Sequence, residues 1–212
     1  MSKQIGAGTG LVAVSCGIGI VVRHGDLSTF DVDLLLALSV ARRGPQWLVD
    51  AARFISTLGD VGVRGIGITL VFATLVWWRR WRSGVLYLVT VTLSITGHTM
   101  AKIIWARPRP HIVPWLDNPR DLSFPSGHAA GSMVVLLLAA MLFDRWRLTP
   151  LAVALSLVIG FTRPMLGVHW PTDVLAGWLW GAGFALIGAG VAQSMGILDA
   201  PHAIKISAGP SG

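Results

Sequence analysis

The sequence predicts an all-α membrane protein with six transmembrane helices and short amphipathic helices lying along its outer face. Hydrophobic residues make up 53% of the 212 and charged residues only 13%, about half the roughly 25% charged content of an ordinary soluble domain. Several apolar runs approach the roughly 20 residues that cross a bilayer. The cations sit in short clusters between those runs. A soluble helical protein fits none of these observations.

The net charge of +7 comes from 17 cations, nearly all Arg, against ten acids. In a soluble chain that balance suggests nucleic acid as a partner. No zinc-finger, helix-turn-helix or RNA-recognition pattern is present, so no nucleic-acid partner is expected. Clustered cations fit topology signals plus a site for an anionic substrate. Every acid is Asp, so any carboxylate chemistry falls to Asp. The single Cys16 excludes an internal disulfide.

Residues 6–22 are apolar and bounded by Lys3 and Arg23. They read as a first span; the alternative is a secretory signal peptide, but no small-x-small cleavage site follows. Within 23–60, VDLLLALSVARR and PQWLVDAARFISTL space apolar residues helically, with Asp and Arg on the other face. Both are too short to span, so they read as interfacial helices. Arg42, Arg43 and Arg53 are then interfacial cations, with lipid head-group contact as the alternative. Spans follow at 61–78, which ends in WWRRWR, at 84–105, and at 128–143, which runs into DRWR. The last two are 151–166 and 172–193. The tail, 196–212, is rich in Gly, Ala and Ser and predicts loose order. The whole of 1–212 reads as one domain, with its motif-bearing core at 61–193.

Six spans place both termini on one face with the 79–84 and 144–149 loops. Those loops carry Arg79, Arg80, Arg82, Arg145 and Arg147, and the termini add Lys3 and Lys205. The positive-inside rule makes this face cytoplasmic. In a bacterial inner membrane, segments 23–60, 102–127 and 163–171 then face the periplasm or exterior. They also carry many cations, against the rule, which calls for another task. Gly177 and Gly181 stand four apart in the last span and predict close helix packing within the chain, with a dimer seam as the alternative. GAGTG at 6–10 lacks the Lys-Ser/Thr ending and preceding strand of a phosphate loop.

Three polar segments share that outer face. Lys102 and Arg109, followed by Pro110, are seven apart, about two helical turns. PSGH at 125–128 opens the fourth span, and TRPMLGVHWPTD at 162–173 joins the fifth to the sixth. Singly, each has an ordinary reading: Lys102 and Arg109 as snorkelling cations, Ser126 as a helix cap with Gly127 serving turn geometry, His169 as a loop histidine. Together they compose a phosphate pocket.

These segments resemble the signature of the type 2 phosphatidic acid phosphatase superfamily, which includes lipid phosphate phosphatases and vanadium haloperoxidases. The matching residues are Lys102 and Arg109-Pro110; Pro125-Ser126-Gly127-His128; and Arg163, His169 and Asp173. Thr162 stands where the family usually has Ser and retains the hydroxyl. The resemblance implies a lipid-phosphate substrate at the membrane, such as phosphatidic acid, phosphatidylglycerophosphate or an undecaprenyl-type pyrophosphate.

The chemistry has its own logic. A transferring phosphoryl group spreads negative charge over its oxygens, so positioning and electrostatic stabilisation dominate catalysis. Lys102, Arg109 and Arg163 supply cations, and Ser126 with the Gly127 N–H offers donors at a helix start. His169, with Asp173 four residues on to accept its Nδ1 proton, fits a nucleophile attacking through Nε2. His128 fits the general acid that protonates the leaving oxygen and then activates water. These roles match those the resemblance implies. No metal or cofactor is expected, since no Cys/His or carboxylate cluster stands out. His98, one turn before Lys102, reads as a buried satisfied histidine, with contact to the site as the alternative, and His111 as a solvated one. Arg107 and Arg120 are candidates for a second, pyrophosphate-type group, with surface exposure as the alternative. A vanadium haloperoxidase would share the anion pocket, but the apolar spans count against it. A non-catalytic lipid-binding or transport protein would need the cations and no nucleophile.

Overall fold

The computed structural model describes residues 3–25, 28–39, 43–119, 121–143 and 146–198. Arg42, Arg120, Arg145, Lys205 and the expected loose tail beyond residue 198 lie outside these. The described residues are mostly helical, with no strand among them: α1 (Lys3–His24), α2 (Ser28–Ser39), α3 (Gln46–Thr57), α4 (Val61–Trp77), α5 (Trp81–Trp105), α6 (Gly127–Leu142), α7 (Thr149–Met165) and α8 (Pro171–Ser194).

Three of these, α1, α5 and α8, are long and apolar enough to cross a membrane. The pair α3 and α4, bent by 49°, passes the same test only when taken together. The helices expected to span at 61–78, 128–143 and 151–166 are present as α4, α6 and α7, but are only 17, 16 and 17 residues long. Large apolar side chains face outward, including Ile20 on α1, Leu70 on α4, Leu93 on α5 and Leu151 on α7. Such a surface suits hydrocarbon rather than water. The chain is an integral membrane protein.

At the centre stands α6. Val134, Leu138 and Leu142 on it are wholly buried, and they pack with Tyr87 and Val91 of α5 and Ala185 and Ala189 of α8. The α6–α8 seam is close because Gly177 meets it with no side chain. A Cβ there would lie 2.7 Å from the Ser126 carbonyl oxygen and 2.9 Å from the Ala129 Cβ. This is the small-residue packing within the chain that the spacing predicts.

Of the two interfacial helices expected in 23–60, α3 separates its faces, burying Val49, Ala52 and Ser56 while Trp47 and Phe54 stay exposed. On α2, Asp33 faces outward as the pattern predicts, but the Asp just before that segment does not. Asp31 is fully buried, while Phe30 and Leu36 are exposed. The burial of Asp31 has a physical reason: it accepts from the Thr172 backbone N–H at 2.9 Å and from the Thr172 hydroxyl at 2.6 Å.

Candidate active site

Chain punctuation sets the site. α5 ends at Trp105, where Ala106 takes a left-handed conformation with φ of 46° and its N–H caps the Lys102 carbonyl. Pro108 and Pro110 then forbid a helix by removing N–H donors and biasing the residues before them. Arg109 therefore comes from a loop and not from the second helical turn after Lys102; the loop folds back so that both side chains reach one cavity. α6 begins just after Ser126, whose N–H bonds the Asp173 carbonyl oxygen at 3.0 Å and ties the starts of α6 and α8 together. α7 stops at Met165, and Gly167, with φ of 78°, turns the chain. α8 starts on Pro171, which suits the first helical position. There the Asp173 carboxylate accepts from the Trp170 N–H at 3.0 Å.

A cavity of about 590 Å³ collects Lys102, Arg109, Gly127, His128, Arg163 and His169 from the three predicted segments. Asp173 lies behind His169, fully buried. Ser126 does not reach the cavity wall; its Oγ is buried with no hydrogen-bond partner among the described residues. A depression along 111–115 carries none of the clamp cations. His111, exposed there, stacks on Trp115.

His169 is the hub. Its Nδ1 lies 3.4 Å from Asp173 Oδ2, and its Nε2 lies 3.0 Å from Arg109 Nη1. Arg109 can only donate, so Nε2 is the bare nitrogen and Nδ1 carries the proton. Burial pushes the imidazole well below its ordinary pKa, and Arg109, Lys102 and Arg163 push it further. The neutral ring is the nucleophilic one.

Behind it lies a buried network whose roles the sequence does not announce. Arg107 Nη1 pairs with Asp173 Oδ1 and its Nη2 with Asp31 Oδ2, each at 2.6 Å. The Ser123 hydroxyl donates to Asp173 Oδ2, and Arg107 packs over the Trp170 ring at 5.4 Å. Arg107 is thus neither a surface cation nor a second phosphate ligand.

In front lie three carboxylates on the rim. Asp121 pairs with Lys102 at 3.1 Å and with Arg109, Asp117 with Arg163 at 2.7 Å, and Asp60 with His128 Nε2 at 2.9 Å. The cations are buried while the acids are about half exposed, with side chains 41–59% accessible. Burial works to raise the Asp121 carboxyl, but Lys102 and Arg109 outweigh it and hold it at about 2. Asp117 is likewise held low, by Arg163 against burial. Asp60 is raised, by burial and by the nearby charge of Asp117. These acids lie where an incoming anion would meet the cations.

Two further titratable residues line the cavity, His98 and Arg64. His98 is buried with Nδ1 3.2 Å from the Ser94 carbonyl, the satisfied histidine expected, though it also borders the pocket. Arg64, in the first turn of α4, was not singled out from the sequence. A cation inside an apolar run is a recognised functional signal, so it was legible there. Among the described residues no group of three or more His, Cys or Asp side chains is arranged to hold a metal ion.

In the solved Bacillus subtilis transmembrane PAP2-type phosphatidylglycerolphosphate phosphatase, 96% of that chain and 89% of this one superpose with a TM-score of 0.80 at 22% identity, a likeness of fold. An undecaprenyl-diphosphatase of Sulfolobus acidocaldarius is 29% identical over 133 residues, 59% of this chain, and the match spans 63% of that protein, under two thirds of its length. A decaprenylphosphoryl-5-phosphoribose phosphatase of Mycobacterium tuberculosis is 30% identical over 158 residues, covering 72% of this chain and 85% of that one. The family model of the PAP2 superfamily matches residues 83–194, which hold all three motif segments and more than half of the chain, and the protein belongs to that superfamily.

Proposed function

We propose that the protein is a membrane phosphatase that hydrolyses a lipid phosphomonoester or lipid diphosphate through a phosphohistidine on His169. The observation that carries this is His169 itself: a buried neutral imidazole whose Nε2 faces the cavity beside Arg109 while Nδ1 is turned to Asp173. A phosphate entering the pocket exchanges with the rim carboxylates and takes up Lys102, Arg109 and Arg163. Arginine forks bind two oxygens each and suit the charge of the transferring group. Gly127, first in α6, adds a backbone N–H that no intrahelical carbonyl can satisfy.

His169 Nε2 then bonds to phosphorus as the bond to the leaving oxygen breaks. His128, whose Nε2 is now held by Asp60, gives that oxygen a proton once the substrate displaces the carboxylate. It next takes a proton from water, which opens the phosphohistidine and releases inorganic phosphate. Asp173 and Arg107 hold the ring of His169 throughout. The lipid tail lies among the helices, which span the membrane six times, with both termini cytoplasmic and the site at the outer surface.

The test is phosphate release by purified protein from a panel of lipid phosphates, with and without EDTA. Wild type should release phosphate equally in both, and His169→Ala should not. Equal activity in the variant contradicts the mechanism. Bromide oxidation on adding vanadate, without phosphate release, would favour a haloperoxidase.

A further inference from the structure

Arg64 stands apart from the other cations of the pocket. It is 9% exposed and lines the same cavity as His128 and His169. Lys102, Arg109 and Arg163 each hold a rim carboxylate, and Arg107 holds two buried ones. Arg64 forms no ion pair among the described residues. Among the described residues it donates twice, both times from Nη1, to the carbonyl oxygens of Gly59 at 3.1 Å and Gly127 at 3.2 Å. A guanidinium has five N–H donors, so most of this one's capacity is uncommitted. Burying it without a carboxylate is costly, yet the packing makes room for it. A Cβ on Gly131 would lie 2.5 Å from Arg64 Nη1 and 2.8 Å from its Cζ.

Position indicates the use. In-line displacement sets nucleophile and leaving oxygen on opposite sides of phosphorus. Arg64 belongs to the His128 side. The Gly127 carbonyl it holds precedes His128 in the chain, and Gly59 packs on the imidazole, where an added Cβ would lie 3.1 Å from His128 Cγ. A cation there meets whatever departs.

We propose that Arg64 binds the departing phosphate of a lipid diphosphate and makes the pocket favour diphosphates over phosphomonoesters. This deepens, and rests on, the phosphatase reading above. His169 Nε2 bonds to the terminal phosphorus while the bond from that phosphorus to the bridging oxygen breaks. The bridging oxygen leaves on the lipid monophosphate, protonated by His128, and Arg64 neutralises the charge of that phosphate. Water then returns His169 and yields inorganic phosphate. A phosphomonoester departs as an alcohol, which offers Arg64 no second anion.

The test compares kcat/KM for the diphosphate and the monophosphate of one prenyl alcohol, using the full chain in detergent. Wild type should prefer the diphosphate. Arg64→Gln should lower the diphosphate-to-monophosphate ratio by about 10–100-fold, the scale of one hydrogen bond to a charged group. Arg64→Lys, which keeps the charge and loses the fork, should fall between. Gly131→Ala, which crowds the guanidinium, should shift the ratio the same way. Monophosphate turnover in each preparation reports that the variant is folded. An unchanged ratio in all three variants, or a wild-type preference for the monophosphate, overturns the role of Arg64 and leaves the phosphatase standing. Release from neither substrate by wild type overturns both.

Discussion

Arg107 joins Asp173 and Asp31 through its two Nη atoms, at 2.6 Å each. Both carboxylates are fully buried, so this one cation is shared between two acids, one behind the candidate nucleophile and one brought in by α2. The pair also explains why α2 docks against the start of α8. Removing one partner of a buried ion pair leaves an uncompensated charge, which typically costs about 3–5 kcal/mol. Arg107→Met should therefore lower thermal stability markedly and kcat by about 10²-fold, since Asp173 orients the ring that attacks. Asp31→Asn keeps a hydrogen-bonding group and should act in the same direction more weakly. Steady-state kinetics should place both effects in kcat, with KM little changed.

Asp121 holds Lys102 and Arg109, the cations that the proposed mechanism assigns to the substrate phosphate. Asp121→Asn should lower KM, and strengthen inhibition by inorganic phosphate, by about 2–10-fold, the worth of one partly exposed ion pair. Phosphate inhibition curves for wild type and variant measure this. An unchanged inhibition constant would mean that the carboxylate does not occupy the anion site.

The same group sets a pH dependence. Its folded-state value is held at about 2 by Lys102 and Arg109, below the roughly 3.9 of an unfolded Asp. A depressed carboxyl contributes stability that is present above the unfolded value and lost as pH falls through the folded one. The thermal stability of wild type should fall as pH drops from about 4 to about 2. Asp121→Asn should show a shallower loss over that window, judged by melts at fixed ionic strength.

At the α6–α8 seam, a Cβ on Gly177 would press on backbone and not on a movable side-chain tip. Gly177→Val should destabilise the protein by about 1–3 kcal/mol, the usual cost of overpacking. It should also reduce activity, because the same seam seats His128 and Asp173. Denaturation in detergent together with phosphate release reads both.

What the sequence made legible follows from range. Lys102 with Arg109, the 125–128 turn, and Arg163 with His169 and Asp173 are short-range patterns, and the structure brings all but Ser126 to the cavity or directly behind it. The helices fall within a few residues of their expected places because long apolar runs bounded by Arg and Trp leave little choice. The buried network was not legible, because Asp31 and Thr172 are 141 residues apart and nothing local marks Asp31 as different from Asp33. Arg107 looked like one more loop cation for the same reason. The stretch 111–124 carried no recognisable motif. Its Asp117 and Asp121 gain meaning only once folding sets them against Arg163 and Lys102.

The most direct measurement is capture of the phosphoryl group on the protein. Wild type mixed with a ³²P-labelled substrate bearing a good leaving group, then quenched in alkali within milliseconds, should carry label stable to base and labile to acid. Peptide mapping should place it on His169, and His169→Ala should carry none. Label on another residue, or single-turnover phosphate release with no labelled protein at any quench time, would contradict a phosphohistidine at this position.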